Sequence, residues 1–205
     1  MPSSPAFTQM NGNLLCAIDV ETTGLIVGEN DIWEMCVLPL NKDYKPNKEF
    51  KFWNQRYKIK RPENVNDGAL RLTNLNKADL LTTGLDPWDA ADKFIDWFER
   101  LKLGKDKKII PLASNWPFDR EFIKEWLGQK NFDYVFHGHY RDTQPLAAFI
   151  NDRADMLRDD FPFGRIGLSS LCTKLNVTNT NPHRALYDCI ATADVYCAML
   201  KLAKI

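Results

Sequence analysis

The segment from Asn13 to Val20 is an almost unbroken apolar run, and it constrains the fold more than any other part of the chain. A run of this length is typical of a strand covered on both faces at the centre of a sheet. Two carboxylates, Asp19 and Glu21, stand at its end, and the two-residue repeat of a strand places both on one face, in line with Leu15 and Ala17. The sequence therefore predicts a central strand that carries two acids out of the core.

Patterns of apolar and turn residues divide the rest of the chain into further strands and helices. Strands are predicted at residues 32–40, 50–57, 107–113 and 134–140, and helices at 86–101, 117–127, 144–151, 167–175 and 183–201. Pro111 weakens the strand at 107–113 unless its missing donor lies at an edge or a bulge. Three strands followed by alternating helices and strands predict an α/β fold with a mixed sheet.

The composition favours one globular domain without a global attraction to nucleic acid. A chain of 205 residues with 44% hydrophobic content can bury a sizeable core. Lysine plus arginine number 27, as do aspartate plus glutamate, so any contact with nucleic acid must be local. The amino terminus lacks the pattern of a secretory signal, and no run is long enough to span a bilayer. We therefore expect a cytoplasmic protein that does not bind membranes.

The five cysteines indicate neither a disulfide framework nor a zinc site. They are odd in number, show no CxxC spacing and lie mostly in apolar segments, where reduced cysteines behave as small core residues. They are Cys16, Cys36, Cys172, Cys189 and Cys197.

The helix predicted at 117–127 has an acid on its packing face. At 100° per residue, Asp119 falls in the middle of the apolar half of the helix. That half contains Phe118, Phe122, Ile123, Trp126 and Leu127. An ionised carboxylate is costly there unless it is paired or bound to a cation. A first-turn aspartate also favours the helix dipole as a cap, so both interpretations stay open on this segment alone.

The helix predicted at 183–201 repeats this feature in milder form. Its polar arc includes Asp194, which is well placed to face water, whereas Asp188 lies outside that arc, near the margin of the apolar stripe. The sequence thus places inward-turned acids on three separate elements.

Four carboxylates brought to one place would repel one another strongly. A lone Asp-x-Glu at a strand end is usually a pair of solvated acids beside a turn, but three elements with inward acids favour a shared site. Hard divalent cations such as Mg²⁺ or Mn²⁺ prefer oxygen ligands and would relieve the repulsion. Two ions about 4 Å apart can activate a water molecule and stabilise the leaving oxygen in phosphodiester hydrolysis. The pattern therefore indicates phosphoryl chemistry.

Three segments resemble the motifs of the DEDDh exonucleases of the DnaQ-like superfamily, in the same order and at similar separations. They are Asp-Val-Glu-Thr-Thr-Gly-Leu at 19–25, Asn-Trp-Pro-Phe-Asp at 115–119 and His-Arg-Ala-Leu-Tyr-Asp at 183–188. The resemblance extends from about residue 14 to residue 201. It implies one exonuclease domain over residues 1–205, with a ribonuclease H-like five-stranded mixed sheet flanked by helices.

The resemblance also implies an activity and its site residues. The activity is 3′-5′ exonuclease hydrolysis of single-stranded DNA or RNA that releases nucleoside 5′-monophosphates with two divalent ions, Mg²⁺ or Mn²⁺. The implied metal ligands are Asp19, Glu21, Asp119 and Asp188, with His183 as the general base. The implied substrate contacts are Thr22, Thr23, Leu25, Asn115 and Arg184, and Asp142 has a supporting role.

Several of these residues keep a simpler interpretation. Leu25 is a plausible wedge between the last bases, although single leucines are usually packing residues. Arg184 is a candidate phosphate contact, whereas the default for Arg141 and Arg165 is solvated surface. His137 and His139 lack a matching third ligand and are more typical of an ordinary loop. Ser114, where many relatives have histidine, and the bulky Trp116 leave the ligand chemistry intact but put the shape of the substrate in doubt.

Two other functions compete with the exonuclease. A ribonuclease H-like endonuclease also uses acids and two metals, but the complete His183-x-x-x-x-Asp188 pattern argues against it. A non-catalytic module that docks a polymerase or another protein is expected to have lost an active residue, and all five are present. The expected partners are single-stranded 3′ ends and, for a proofreading subunit, a DNA polymerase. The sequence does not decide between that role, a free DNA trimmer and a ribonuclease.

Overall fold

A mixed sheet forms the centre of the computed structural model, which describes residues 8–9, 12–73 and 75–203. Its strands within these residues are β1 (Thr8–Gln9), β2 (Asn13–Thr22), β3 (Ile32–Pro39), β4 (Trp53–Arg56), β5 (Ile109–Ala113) and β6 (Arg141–Asp142). Five of them run in the order β4-β3-β2-β5-β6, and the short β1 also pairs with β2. The pairs β2–β3 and β3–β4 are antiparallel, whereas β2–β5 and β5–β6 are parallel. The predicted five-stranded mixed sheet is confirmed, with β1 as an addition.

Eight α-helices flank the sheet in the described part of the chain. They are α1 (Asp67–Thr73), α2 (Lys77–Thr82), α3 (Pro87–Arg100), α4 (Trp116–Leu127), α5 (Gln129–Val135), α6 (Thr143–Met156), α7 (Leu168–Leu175) and α8 (Ala185–Leu202). The five predicted helices correspond to α3, α4, α6, α7 and α8. Asp86 caps α3 as its pattern indicates, because its side chain accepts a hydrogen bond from the Trp88 N–H. Helices α1, α2 and α5 were not predicted from the sequence.

The strand predicted at residues 134–140 is wrong. Helix α5 runs through Val135, Phe136 makes only an isolated bridge to Ile109, and the paired strand is the two-residue β6. The buried side chains of Phe132, Val135 and Phe136 recur at helical spacing, and the rings of Phe132 and Phe136 lie 4.9 Å apart. A short apolar run fits a buried helix as well as a strand, and here packing against the preceding helix decides for the helix.

The two faces of β2 belong to different cores. Leu14 and Ile18 pack with residues of α3, α4 and α5 on one face. Leu15 and Ala17 pack with residues of α8 on the other. The alternation of a strand places Asp19 and Glu21 on the same face as Leu15 and Ala17, as the sequence predicts, and the structure shows that this face is the one covered by α8. The cysteines of the described residues are all free, and no helix within those residues is both long and apolar enough to cross a membrane.

Candidate active site

Three of the predicted metal ligands meet where β2 ends under α8. Asp19 and Glu21 extend from β2, and Asp188 lies in the first turn of α8. Each offers a carboxylate oxygen, and these oxygens all lie within 4.8 Å of one another. Helix α8 is held over the strand by the buried Ala185 and Cys189, which pack on the same core as Leu15 and Ala17. The packing of one helix across one strand thus assembles the three acids.

Asp119 approaches the same strand end from the other side of the sheet. Pairing of β2 with β5 ends at Ala17, although β2 continues to Thr22, so a notch opens beside the last residues of β2. Asp119, only 4% exposed, fills this notch, and its Oδ1 accepts a hydrogen bond of 3.0 Å from the Val20 N–H. The N-cap of α4 is Asn115. Asp119 therefore turns inward, and its place in the first turn of α4 also favours the helix dipole.

Burial, with repulsion from neighbouring acids, disfavours the ionised forms of the four carboxylates. Burial, followed by repulsion from Glu21, Asp119 and Asp188, holds the pKa of Asp19 well above its usual range. Burial raises the pKa of Glu21 to about 8, with Asp188 as the next cause. Burial also raises the pKa of Asp119 to about 8, against the hydrogen bond from Val20. A divalent cation would reverse this repulsion, so the donor set suits a hard metal ion.

His183 lies in the loop just before α8, whereas the sequence analysis placed it in the helix. Its backbone is left-handed, with φ of 62°, and its N–H donates a 3.0 Å hydrogen bond to Asp188 Oδ2. The side chain of Asn179 donates to the other oxygen of Asp188. Burial raises the pKa of Asp188, and these two hydrogen bonds oppose the rise. Asn179 was missed because nothing in its spacing marks it.

A polar cleft of about 360 Å³ connects the histidine to the acids. Its lining includes Asp19, Asn115, His183 and Asp188. The side chain of Asn115 is exposed, and its backbone is left-handed with φ of 74°, a conformation that asparagine tolerates better than most residues. The structure thus brings Asn115 and His183 to one opening beside the carboxylates. A larger cavity near Lys107 contains none of the site residues.

An apolar cleft of about 360 Å³ lies on the other side of Glu21. It is lined in part by Thr22, Leu25, Leu72 and Phe118, and Leu72 belongs to the unpredicted helix α1. Leu25 is 81% exposed, so its interpretation as a packing residue is wrong. The Thr22 hydroxyl donates to the Gly24 carbonyl at 2.6 Å, which fixes the start of the loop.

Thr23 does not match its predicted role as a substrate contact. Its side chain is 1% exposed, and its hydroxyl accepts a 2.9 Å hydrogen bond from the Asp31 N–H. Gly24 explains the tightness of this loop, because a Cβ there would lie 2.6 Å from the side chain of Asn30. Asn30 in turn accepts from the Ile26 N–H and donates to the Asn64 carbonyl. Hydrogen bonds of Thr23 and Asn30 therefore stabilise the loop that presents Leu25.

Asp142 occupies a supporting position behind the site. Its two oxygens accept hydrogen bonds from the N–H groups of Asn115 at 3.0 Å and Trp116 at 2.7 Å. The same carboxylate caps α6 through the Gln144 N–H at 2.9 Å. One buried side chain thus joins the start of α4, which carries Asp119, to the start of α6.

Arg184 is placed differently from the predicted phosphate contact. Its guanidinium forms a two-pronged ion pair with Glu34, at 2.9 Å from Nε to Oε2 and 2.8 Å from Nη2 to Oε1. Glu34 was not predicted as a site residue, although an acid inside the apolar run of 32–40 is the same kind of signal that marks Asp19. His137 and His139 stack on each other, and the His137 N–H donates to Ile109 at the far end of β5, which fits an ordinary loop.

The pattern of the RNase T family, described as exonuclease, matches residues 16–196. The chain belongs to this exonuclease family. The predicted family and enzyme class are therefore confirmed. The family is metal-dependent, and the three clustered acids could hold a divalent ion.

Relatives of known name are distant in sequence. The chain is 27% identical over 186 residues to a DNA polymerase III PolC-type from Staphylococcus aureus, and the match covers 91% of the chain but only 11% of that polymerase. It is 24% identical over 192 residues to the 3′-5′ DNA exonuclease Cap18 from Escherichia coli, covering 93% of this chain and 94% of Cap18.

Solved structures share the fold. Exonuclease I superposes with a TM-score of 0.73 at 15% identity, covering 92% of this chain and 41% of that one. The nuclease domain of 3′hExo, a DEDDh family member bound to rAMP, gives a TM-score of 0.65 at 17% identity, covering 95% and 94%. These likenesses confirm the ribonuclease H-like fold class.

Proposed function

We propose that this domain is a metal-dependent 3′-5′ exonuclease that removes nucleoside 5′-monophosphates from single-stranded ends. The observation that carries the proposal is the meeting of Asp19, Glu21 and Asp188 within 4.8 Å, with Asp119 buried at the same strand end. These residues arrive from one strand and two helices, so solvation of a strand end does not explain them.

The four carboxylates would hold two divalent ions, Mg²⁺ or Mn²⁺. Bound there, the ions would supply Lewis-acid activation of a water molecule and stabilise the leaving oxygen. His183 opens on the same cleft and accepts the proton from the attacking water as general base. Its imidazole is half-buried, which leaves one side able to return the proton to solvent.

The apolar cleft would favour single-stranded ends over paired ends. Leu25 and Phe118 offer apolar surface beside Glu21, where the terminal base would stack. A base paired in a duplex cannot enter without being unstacked, which costs a few kcal/mol. The exposed Leu25 then acts as the wedge that separates the last base from its neighbour. The polar cleft on the side of His183 holds the sugar and the phosphate.

A strand-shortening assay tests the proposal. Single strands labelled at the 5′ end should shorten stepwise with Mn²⁺ or Mg²⁺, release nucleoside 5′-monophosphates and stop in chelator. A blocked 3′ end should slow the reaction, and Asp19→Asn should abolish it. Cleavage of circular single strands at a comparable rate would indicate the ribonuclease H-like endonuclease instead, and no hydrolysis by the metal-loaded protein would favour the docking module.

The same assay on matched DNA and RNA strands addresses the substrate class. Cap18 is named as a DNA exonuclease and PolC as a DNA polymerase, so we propose DNA as the preferred strand. A DNA polymerase is the corresponding candidate partner. Faster digestion of RNA than of the matched DNA would reverse this preference.

A further inference from the structure

A fifth acid, Glu34, lies beside the carboxylates and has no part in the proposed chemistry. It stands opposite Glu21 in the antiparallel ladder of β2 and β3 and is 2% exposed. Residues directly opposite in such a ladder share one face of the sheet, so the two acids are neighbours. Like charges in this position are unfavourable, and a buried carboxylate without a partner is costly. The fold must therefore neutralise Glu34.

Arg184 supplies the partner through its rigid guanidinium. The two hydrogen bonds to Glu34 use both carboxylate oxygens, at 2.9 Å and 2.8 Å, and this fork fixes orientation as well as distance. Arg56 lies farther away, with Nε 3.7 Å from Oε1. Lysine could replace the charge of Arg184 but could not reproduce the fork.

Glu34 also completes the start of α8. Arg184 is the N-cap of this helix, and its own side chain makes no capping hydrogen bond. Glu34 Oε2 instead accepts from the Ala185 N–H at 3.2 Å, which is one of the donors left without a partner at a helix start. Its negative charge lies at the positive end of the helix dipole. One carboxylate of β3 thus holds both the cap residue and the first turn.

The residue that this arrangement constrains is His183. Its left-handed backbone is uncommon for a non-glycine residue and persists only where neighbouring contacts hold it. Asp188 accepts from its N–H on one side, and Arg184, anchored on Glu34, is the next residue on the other. The loop is therefore fastened at two points, one on α8 and one on β3.

We propose that Glu34 and Arg184 form a positioning pair that fixes the His183 imidazole in the polar cleft. This inference rests on the proposed function, because it assigns the pair an effect only through the general base. Displacement of a reacting group by about 1 Å can cost about a hundredfold in rate. A change at Arg184 that leaves Glu34 in place to cap α8 should therefore affect kcat strongly, with the metal ligands and the apolar cleft unchanged.

A double-mutant cycle on kcat tests the pair. Parent, Arg184→Lys, His183→Ala and the double variant are compared on a single-stranded oligonucleotide at saturating Mn²⁺. Arg184→Lys should lower kcat about tenfold to a hundredfold, with KM within about twofold and the Mn²⁺-induced rise in Tm retained. In the His183→Ala background the same substitution should cost almost nothing, because residues that act as one unit are not additive.

Two results would overturn the inference. An unchanged kcat in Arg184→Lys would show that the fork is dispensable, and an equal loss in both backgrounds would show that the pair does not act through His183. If His183→Ala itself keeps full activity, the base assignment in the proposed function fails as well. Full activity of His183→Ala would therefore contradict the proposed function, whereas the first two results contradict only the positioning role of the pair.

A second ion pair that involves α8 offers a matched control. Lys45 pairs with Asp194 and ties α8 to the loop after β3, away from the cleft. Lys45→Arg is the corresponding conservative exchange and should leave kcat unchanged. If Arg184→Lys melts too low for kinetics, Glu34→Gln combined with Arg184→Met removes both charges together and avoids an unpaired buried ion. That variant should show the same loss of kcat and the same dependence on His183, and a parent-like kcat would overturn the proposal.

Discussion

Replacing Asp119 with asparagine removes one ionisable carboxyl group at nearly constant volume. The asparagine oxygen can still accept the hydrogen bond from the Val20 N–H, which is 3.0 Å long in the parent protein. The substitution therefore isolates the ionisation of Asp119 from its packing. Burial is the main reason that ionisation is unfavourable here, and it raises the pKa of this carboxyl to about 8.

The size of the effect follows from proton linkage. The folded protein binds this proton more tightly than the unfolded chain, whose carboxyl titrates near 3.8, so the metal-free parent loses stability as pH rises from about 4 to about 8. Each pKa unit corresponds to about 1.4 kcal/mol, which makes the loss at pH 7 on the order of 4 kcal/mol. Asparagine suffers no such loss. The metal-free Asp119→Asn variant should therefore melt about 10 °C above the parent at pH 7, and the difference should shrink towards pH 4.

Divalent ions should narrow this difference in Tm. A ligand that binds only the folded state adds RT ln(1 + [L]/Kd), about 2.7 kcal/mol at a hundredfold excess, so Mn²⁺ should raise the Tm of the parent far more than that of the variant. Melting curves with chelator and with Mn²⁺ between pH 5 and pH 8 measure both effects, and Asp194→Asn on the outer side of α8 is the control with a parent-like response. An equal Mn²⁺-induced shift in parent and Asp119→Asn would show that Asp119 is not a ligand. A metal-free difference that does not change with pH would refute the ionisation argument.

Three further substitutions test separate parts of the site. His183→Ala should lower kcat by about 10²- to 10⁴-fold with metal binding nearly unchanged, and full activity near neutral pH in single-turnover assays would contradict its role as base. Leu25→Ala should leave the Tm unchanged, because the side chain is 81% exposed, while it slows removal of paired 3′ ends more than of single strands. Equal slowing on both substrates would argue against a wedge. Asp142→Ala should lower the Tm by several degrees, because three N–H groups lose their acceptor, and an unchanged Tm in calorimetry would refute the supporting role.

Local periodicity predicted the parts of the site that depend on one element at a time. The two-residue repeat of β2 placed Asp19 and Glu21 on one face with Leu15 and Ala17, and the helical repeat of α4 placed Asp119 inward. Both placements are confirmed, because burial of one face is a property of the element itself. The central position of β2 was predictable for the same reason, since only a strand covered on both faces is apolar throughout.

Long-range contacts explain what the sequence analysis missed. The Asp31 N–H donates to the hydroxyl of the buried Thr23. The Arg184 guanidinium pairs with Glu34, which β3 places opposite Glu21. Neither partner is visible from spacing, because each depends on the antiparallel return of β3. The strand predicted at 134–140 is wrong for a similar reason. Phe132, just before that segment, contacts Trp116 of α4 as well as Phe136, and the contact with α4 is not visible from spacing.

The lengths of two strands account for why the acids can gather at all. Because β5 stops pairing at Ala17 while β2 continues to Thr22, backbone donors beyond Ala17 are open to a side chain from α4, and Asp119 takes one of them. The burial of Asp119 at the end of β2 lowers the stability of the fold, and the burial of apolar side chains along the same strand offsets this loss. Leu14, Leu15 and Ile18 are almost fully buried on its two faces, and each such side chain contributes about 1.5–3 kcal/mol. Together they exceed the roughly 4 kcal/mol that the raised pKa of Asp119 costs at pH 7. A strand apolar enough to occupy the centre of the sheet can therefore carry a destabilising cluster of acids at its end, and under the proposed function a divalent ion would serve charge balance in the site more than folding.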